Sequence, residues 1–96
     1  MSSYRLSNEA DADVADIARY TIATFGERQV IKYIAVLERT FQLLADFPKM
    51  GSASDDLRPG LMRFPNQSHM IFYTVATDHI LIVRILHARA DFPSLI

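Results

Sequence analysis

Cysteine is absent from the 96 residues, so neither a disulfide nor a thiolate metal site can brace the fold, and stability must come from a packed core. Glycine is almost as scarce. Gly26, Gly51 and Gly60 stand too far apart to build a phosphate-cradling loop, which removes nucleotide chemistry of that type. Neither sign of charge dominates, since ten Lys and Arg face eleven Asp and Glu for a net charge of −1. A protein devoted to gripping long nucleic acids carries a strong basic excess, so that class is excluded while a local basic patch is not. Long apolar runs are missing too. The stretch from Ile80 to Ile85, interrupted at Arg84, falls far short of the roughly 20 residues that cross a bilayer. The N-terminus lacks a charged-then-apolar leader pattern, and the expected compartment is the cytoplasm, with no membrane contact.

Half of the residues are apolar, enough for one core, and the expected unit is a single domain over residues 1–96. Ser3 to Leu6 reads as a strand entering a helix capped by Ser7 and Asn8. Glu9, Asp11, Asp13 and Asp16 suit the positive end of that helix, and Ala10, Val14, Ile17, Ala18, Thr21 and Phe25 form its apolar stripe. Gly26 stops it. A second helix opens at Glu27, with Val30, Ile34, Leu37, Phe41 and Leu44 on one face and Ile31, Tyr33, Val36, Leu43 and Phe47 widening it, until Pro48. So wide an apolar surface must touch both a sheet and something else. Two helices joined across one glycine predict a helical hairpin.

Residues 49–60 are polar and small and read as a loop. Three strands follow, at Leu61–Phe64, His69–Val75 and His79–Leu86, with turns short enough for an antiparallel meander. The last two are apolar on both alternating faces, so both lie inside the sheet and the face away from the helices needs a cover. The order β-α-α-β-β-β defines an α+β domain with a helical hairpin on one face of a small, mostly antiparallel sheet.

Certain segments resemble the RelE/ParE toxin superfamily when taken in this order and at these intervals. They are the helix ending Phe25-Gly26, the closing run Leu43-Leu44-Ala45-Asp46-Phe47-Pro48, and the segment Asp56-Leu57-Arg58-Pro59-Gly60. The strand His69-Met70-Ile71-Phe72-Tyr73 and the ending Arg84-Ile85-Leu86-His87-Ala88-Arg89-Ala90-Asp91 bring the chain nearer the ParE branch. The resemblance runs nearly end to end. It implies a type II toxin neutralised by a ParD-like antitoxin in a hetero-oligomer. ParE-type members inhibit DNA gyrase, whereas RelE-type members cut messenger RNA on the ribosome. Fold alone does not choose between them.

RNA cleavage needs a base, an acid and cations around the charged transition state, and the residues at matching positions are Arg58, Arg63, Arg84 and His87. The Lys-rich segment of RelE-type nucleases corresponds here to residues 49–60, with one Lys, one Arg and two Asp. Residues 1–48 carry a net −2 and residues 49–96 a net +1, which leaves no cationic surplus for docking on a ribosome. The expectation is therefore a non-enzymatic inhibitor of a type II topoisomerase, with no catalytic residues and no cofactor. A RelE-like ribonuclease and an inactive antitoxin-binding protein are the alternatives. Partner contact is expected at Arg58, Arg63, Arg84, His87, Arg89, Asp91, Phe92 and Leu95.

Other readings compete for some of these residues. Arg84 has the further option of pairing with Asp91 or the C-terminal carboxylate. His87, three residues on, points to the opposite face unless a bulge or the strand end follows Leu86, and then acts as a capping or core-edge residue. His69 reads as a hydrogen-bonded strand entrance and His79 as a solvated turn residue. The spacing of the three histidines, without cysteine, predicts no metal site. The apolar tail Phe92–Ile96 suits an interface.

Overall fold

Ser7 starts the first helix because its hydroxyl accepts a hydrogen bond from the Ala10 amide at 3.0 Å, satisfying a donor that every helix start leaves open. The same hydroxyl donates to the Val83 carbonyl at 2.7 Å and so ties the helix to the last strand. The computed structural model describes residues 3–96. In chain order the elements are β1 (Tyr4–Leu6), α1 (Asn8–Phe25), α2 (Glu27–Asp46), a 3-10 turn (Pro48–Met50), β2 (Ser52–Ala53), β3 (Met62–Asn66), β4 (His69–Val75), β5 (Ile80–His87) and α3 (Phe92–Leu95). Between α1 and α2, Gly26 takes a φ of 92°, a value that side chains with a Cβ resist.

The five strands form one sheet in the order β1-β5-β4-β3-β2. β1 lies parallel to β5, with Tyr4 to Leu6 beside Ile80 to Ile82, and every other pairing is antiparallel. The expected α+β architecture is present. Three elements add to it: β2 inside the segment read as loop, the 3-10 turn, and α3 in the apolar tail. β3 also runs on through Pro65 and Asn66, which the sequence suggests as a turn. β2 reaches only Arg63, so Pro65 sits where β3 has no neighbour on that side and its missing N–H costs no ladder bond.

A bulge interrupts β5. Phe72 pairs with Arg84 while Tyr73 pairs with Ile82, which leaves Val83 as an extra residue. The alternation changes phase there: Ile80, Ile82 and Ile85 face the helices, while Val83 and Leu86 face away. On the helical side Leu37, Phe41 and Leu44 pack against Ile71, Tyr73 and the β5 isoleucines. Each such side chain contributes about 1.5–3 kcal/mol through burial.

The far face has its own cluster of Leu61, Phe72, Val83 and Leu86. Much of its cover comes from the chain itself. Phe92 of α3 meets Phe72 edge-on with ring centres 5.0 Å apart, and Leu57 and Ile96 pack alongside. On the helical hairpin Phe25 and Ile31, and just past its end Phe47, are more than 60% exposed, so the widened apolar surface is left partly open. His79 is less solvated than its turn position suggests, with a side chain 18% exposed and Nδ1 2.8 Å from Asp78. No helix among the described residues is long and apolar enough to cross a membrane.

The 3-10 turn is pinned to the sheet by Tyr73. Its buried hydroxyl donates to the Pro48 carbonyl at 2.7 Å and accepts from the Gly51 amide at 3.0 Å. Gly51 is needed for this approach, because an added Cβ would meet the Tyr73 hydroxyl and stand 2.8 Å from the Arg63 carbonyl oxygen. Gly51→Ala is expected to lose about 1–3 kcal/mol, read as a lower urea midpoint at unchanged slope.

Candidate partner-binding site

The last turns of α1 overhang the sheet and leave a groove of about 610 Å³ against α2, the β3–β4 turn and the end of β5. Ile17, Tyr20, Thr21 and Phe25 form one wall, Gln29 and Tyr33 the other, and Gln67, Ser68, His69 and His87 lie between them as the floor. Thr21 hides its polarity by donating to the Ile17 carbonyl at 2.7 Å. Asp16 is the one carboxylate of the lining, which contains no Lys or Arg, and it pairs with Arg19. Tyr20 and Phe25 are 66% and 65% exposed, large apolar surface that a folded chain normally covers.

The groove floor is a small polar network. The Tyr33 hydroxyl is hydrogen-bonded to Nδ1 of His69, as expected of a histidine at a strand entrance. His69 pairs across the strands with His87, ring centres 5.8 Å apart at 73°. Nδ1 of His87 accepts the Arg89 amide at 3.1 Å, the capping role anticipated for it, which places the proton of the neutral ring on Nε2. Burial, and next the nearby His87, push His69 below its ordinary value, against a smaller opposing pull from Asp13. Burial likewise raises Tyr33, so it stays a neutral phenol.

Arg84 belongs to a different arrangement. Its Nε and Nη2 donate to the two oxygens of Asp13 at 2.8 and 3.0 Å, and its Nη1 donates to the Leu95 carbonyl at 3.1 Å. The suggested pairing with Asp91 is therefore corrected: α1 brings Asp13 to the bulge, and Asp91 instead accepts from the Ser94 hydroxyl within α3. The bulge precedes Arg84 and does not fall between it and His87. Arg84 is clasped by α1 and α3, whereas His87 lines the groove. The hydrogen bonds to Asp13 hold Arg84 still more firmly protonated than usual.

The remaining candidates lie toward the other face. Arg63 is set opposite Phe72, with its side chain 30% exposed and 3.9 Å from Asp56. Arg58, Arg89 and Asp91 are exposed, Phe92 is half-buried on Phe72, and Leu95 is 45% exposed. Among the described residues no group of three or more His, Asp or Glu is placed to hold a metal ion.

A family model described as the ParE toxin of the type II toxin–antitoxin system parDE matches residues 4–92. This chain belongs to the ParE toxin family. It is 38% identical over 87 residues to the toxin ParE1 of Caulobacter vibrioides, spanning 91% of this chain and 90% of that protein. It is 37% identical over 92 residues to an Escherichia coli toxin ParE, spanning 95% of this chain and 89% of that protein. Among solved structures, a chromosomal ParDE system from P. aeruginosa superposes with a TM-score of 0.77 at 19% identity, covering 91% of this chain and 96% of that one. That likeness establishes the shared fold. In this ParE-family chain the sequence reading missed Asp13 and the groove residue Tyr20, and gave Tyr33 mainly to packing. Asp13 stands three after Ala10 and four before Ile17, so a carboxylate within the apolar stripe was the available signal.

Two outcomes follow from this geometry. Asp13→Ala strands Arg84 and the Ile85 amide and is expected to lose about 2–3 kcal/mol, with Asp13→Asn losing less, as measured by denaturant unfolding. The free chain should also lose stability as pH falls below 6.5, the ordinary histidine value, because there the unfolded chain binds a proton that native His69 resists. Melting temperature against pH, with His69→Gln flattening the profile, reads this directly.

Proposed function

We propose that this chain is the toxin of a type II pair that binds a type II topoisomerase, DNA gyrase, and inhibits it without catalysing a reaction. A cognate ParD-like antitoxin holds it inactive by laying an apolar segment in the groove beside α1. The family match over residues 4–92 carries this reading. The groove supports the second half of it, since its lining is mainly apolar and aromatic and lacks any cation. For the target we assign Arg58, Arg63, Arg89 and Leu95, which the fold leaves at or near the surface. Arg84, Asp91 and Phe92 serve that surface by holding α3 in place. His87 belongs to the antitoxin side. A gyrase-directed toxin acts in the cytoplasm.

The ribonuclease alternative draws little support from the geometry, because Arg84 is committed to Asp13 and His87 sits in the groove. The purified chain should inhibit gyrase supercoiling and leave ribosome-bound messenger RNA intact. Position-specific cuts in the message with unaffected supercoiling would establish the RelE-like reading instead. Normal growth when the chain is expressed without its antitoxin would identify an inactive toxin-fold protein.

A further inference from the structure

The floor of the groove carries titratable side chains that contact with an apolar segment does not require. His69 begins β4 and His87 ends β5, and the register sets them directly opposite each other with ring centres 5.8 Å apart. Each ring has one nitrogen already fixed, His69 by the Tyr33 hydroxyl and His87 by the Arg89 amide. Neutral, the two rings offer an uncharged floor to an apolar occupant.

The charged groups around the pair are few. On α1, Asp16 lines the wall but holds Arg19, and Asp13 holds Arg84. α2 contributes Tyr33 and α1 contributes Tyr20, both phenols. No Lys or Arg lines the groove, and both carboxylates are already partnered by guanidinium groups. A proton arriving on the pair therefore finds no unclaimed counter-charge, and an apolar segment lying above would strip away the water that otherwise solvates it.

We propose that the Tyr33–His69–His87 cluster makes the groove a proton-gated docking site, which accepts the apolar antitoxin segment while both imidazoles are neutral and sheds it when they take up a proton. This rests on the reading that the groove takes the antitoxin. Burial holds His69 below its ordinary value, which keeps the gate open at neutral pH and closes it in acid.

The test uses the full chain and its cognate ParD-like antitoxin. Wild-type affinity should fall about tenfold or more between about pH 7.5 and about pH 5.5, and the double variant His69→Gln/His87→Gln should change less than about twofold. Calorimetry of the wild type near pH 6, in buffers of different ionisation enthalpy, should show proton release on binding. Flat affinity, a slope that persists in the double variant, or binding without proton release would overturn the gate. Phe25→Asp, at an exposed groove position, separates the two claims. If it weakens binding at about pH 7.5 while affinity stays flat with pH, only the gate fails; if it binds like wild type, the groove reading fails and takes the gate with it.

Discussion

The Asp13 carboxylate stands where three parts of the molecule meet. β1 ends at Leu6, so β5 beyond Ile82 has no strand on that side, and its amides would face an open edge. Asp13 reaches down from α1 and accepts the Ile85 amide at 2.9 Å while clasping Arg84 with both oxygens. The same guanidinium holds the Leu95 carbonyl. One partly buried carboxylate thus fixes the helical hairpin on the sheet, seals the strand edge, and anchors the short helix that covers the far apolar cluster. A charged pair in such a place contributes orientation more than net stability, because desolvation offsets much of the attraction.

This arrangement separates two surfaces of different character. The groove is aromatic, almost uncharged and built on α1, α2 and the ends of β4 and β5. The opposite side carries arginines around an apolar cluster closed by Phe92 and Ile96. A net charge near zero hides this division, because acidic α1 and the arginine-bearing second half offset each other. The two surfaces therefore differ in chemistry and share no side chains.

Periodicity made the hairpin legible, because Leu37, Phe41 and Leu44 recur at helical spacing and all three are buried. The doubly apolar β4 and β5 likewise announced interior strands. What escaped notice depended on contacts between residues far apart in the chain. The Val83 bulge has no local marker, and without it strict alternation assigns Ile82 and Ile85 to opposite faces. Asp13 looked like one more acid in a helix start until its partner some seventy residues on was in view. Phe25 fits the apolar stripe perfectly yet is exposed, since α1 outruns the sheet beneath it. Periodicity reports which side of a helix is apolar, not where its support ends. The ParE resemblance supplied the family, but not the groove floor, because Tyr33 reads as core on its own helix.

Parallel pairing of β1 with β5 has a consequence for how the chain is made. Residues 4–6 leave the ribosome well before the strand they join, at residues 80–82. From residue 46 until the later strands are made, α1 and α2 are complete but have no sheet to rest on, and Asp13 has no strand edge to cap. Closure of so long a loop is slow compared with forming the hairpin. The toxin fold therefore closes only after residues 80–82 have been made, and a nascent chain that stops short of them presents neither the complete groove floor nor the face that α3 completes.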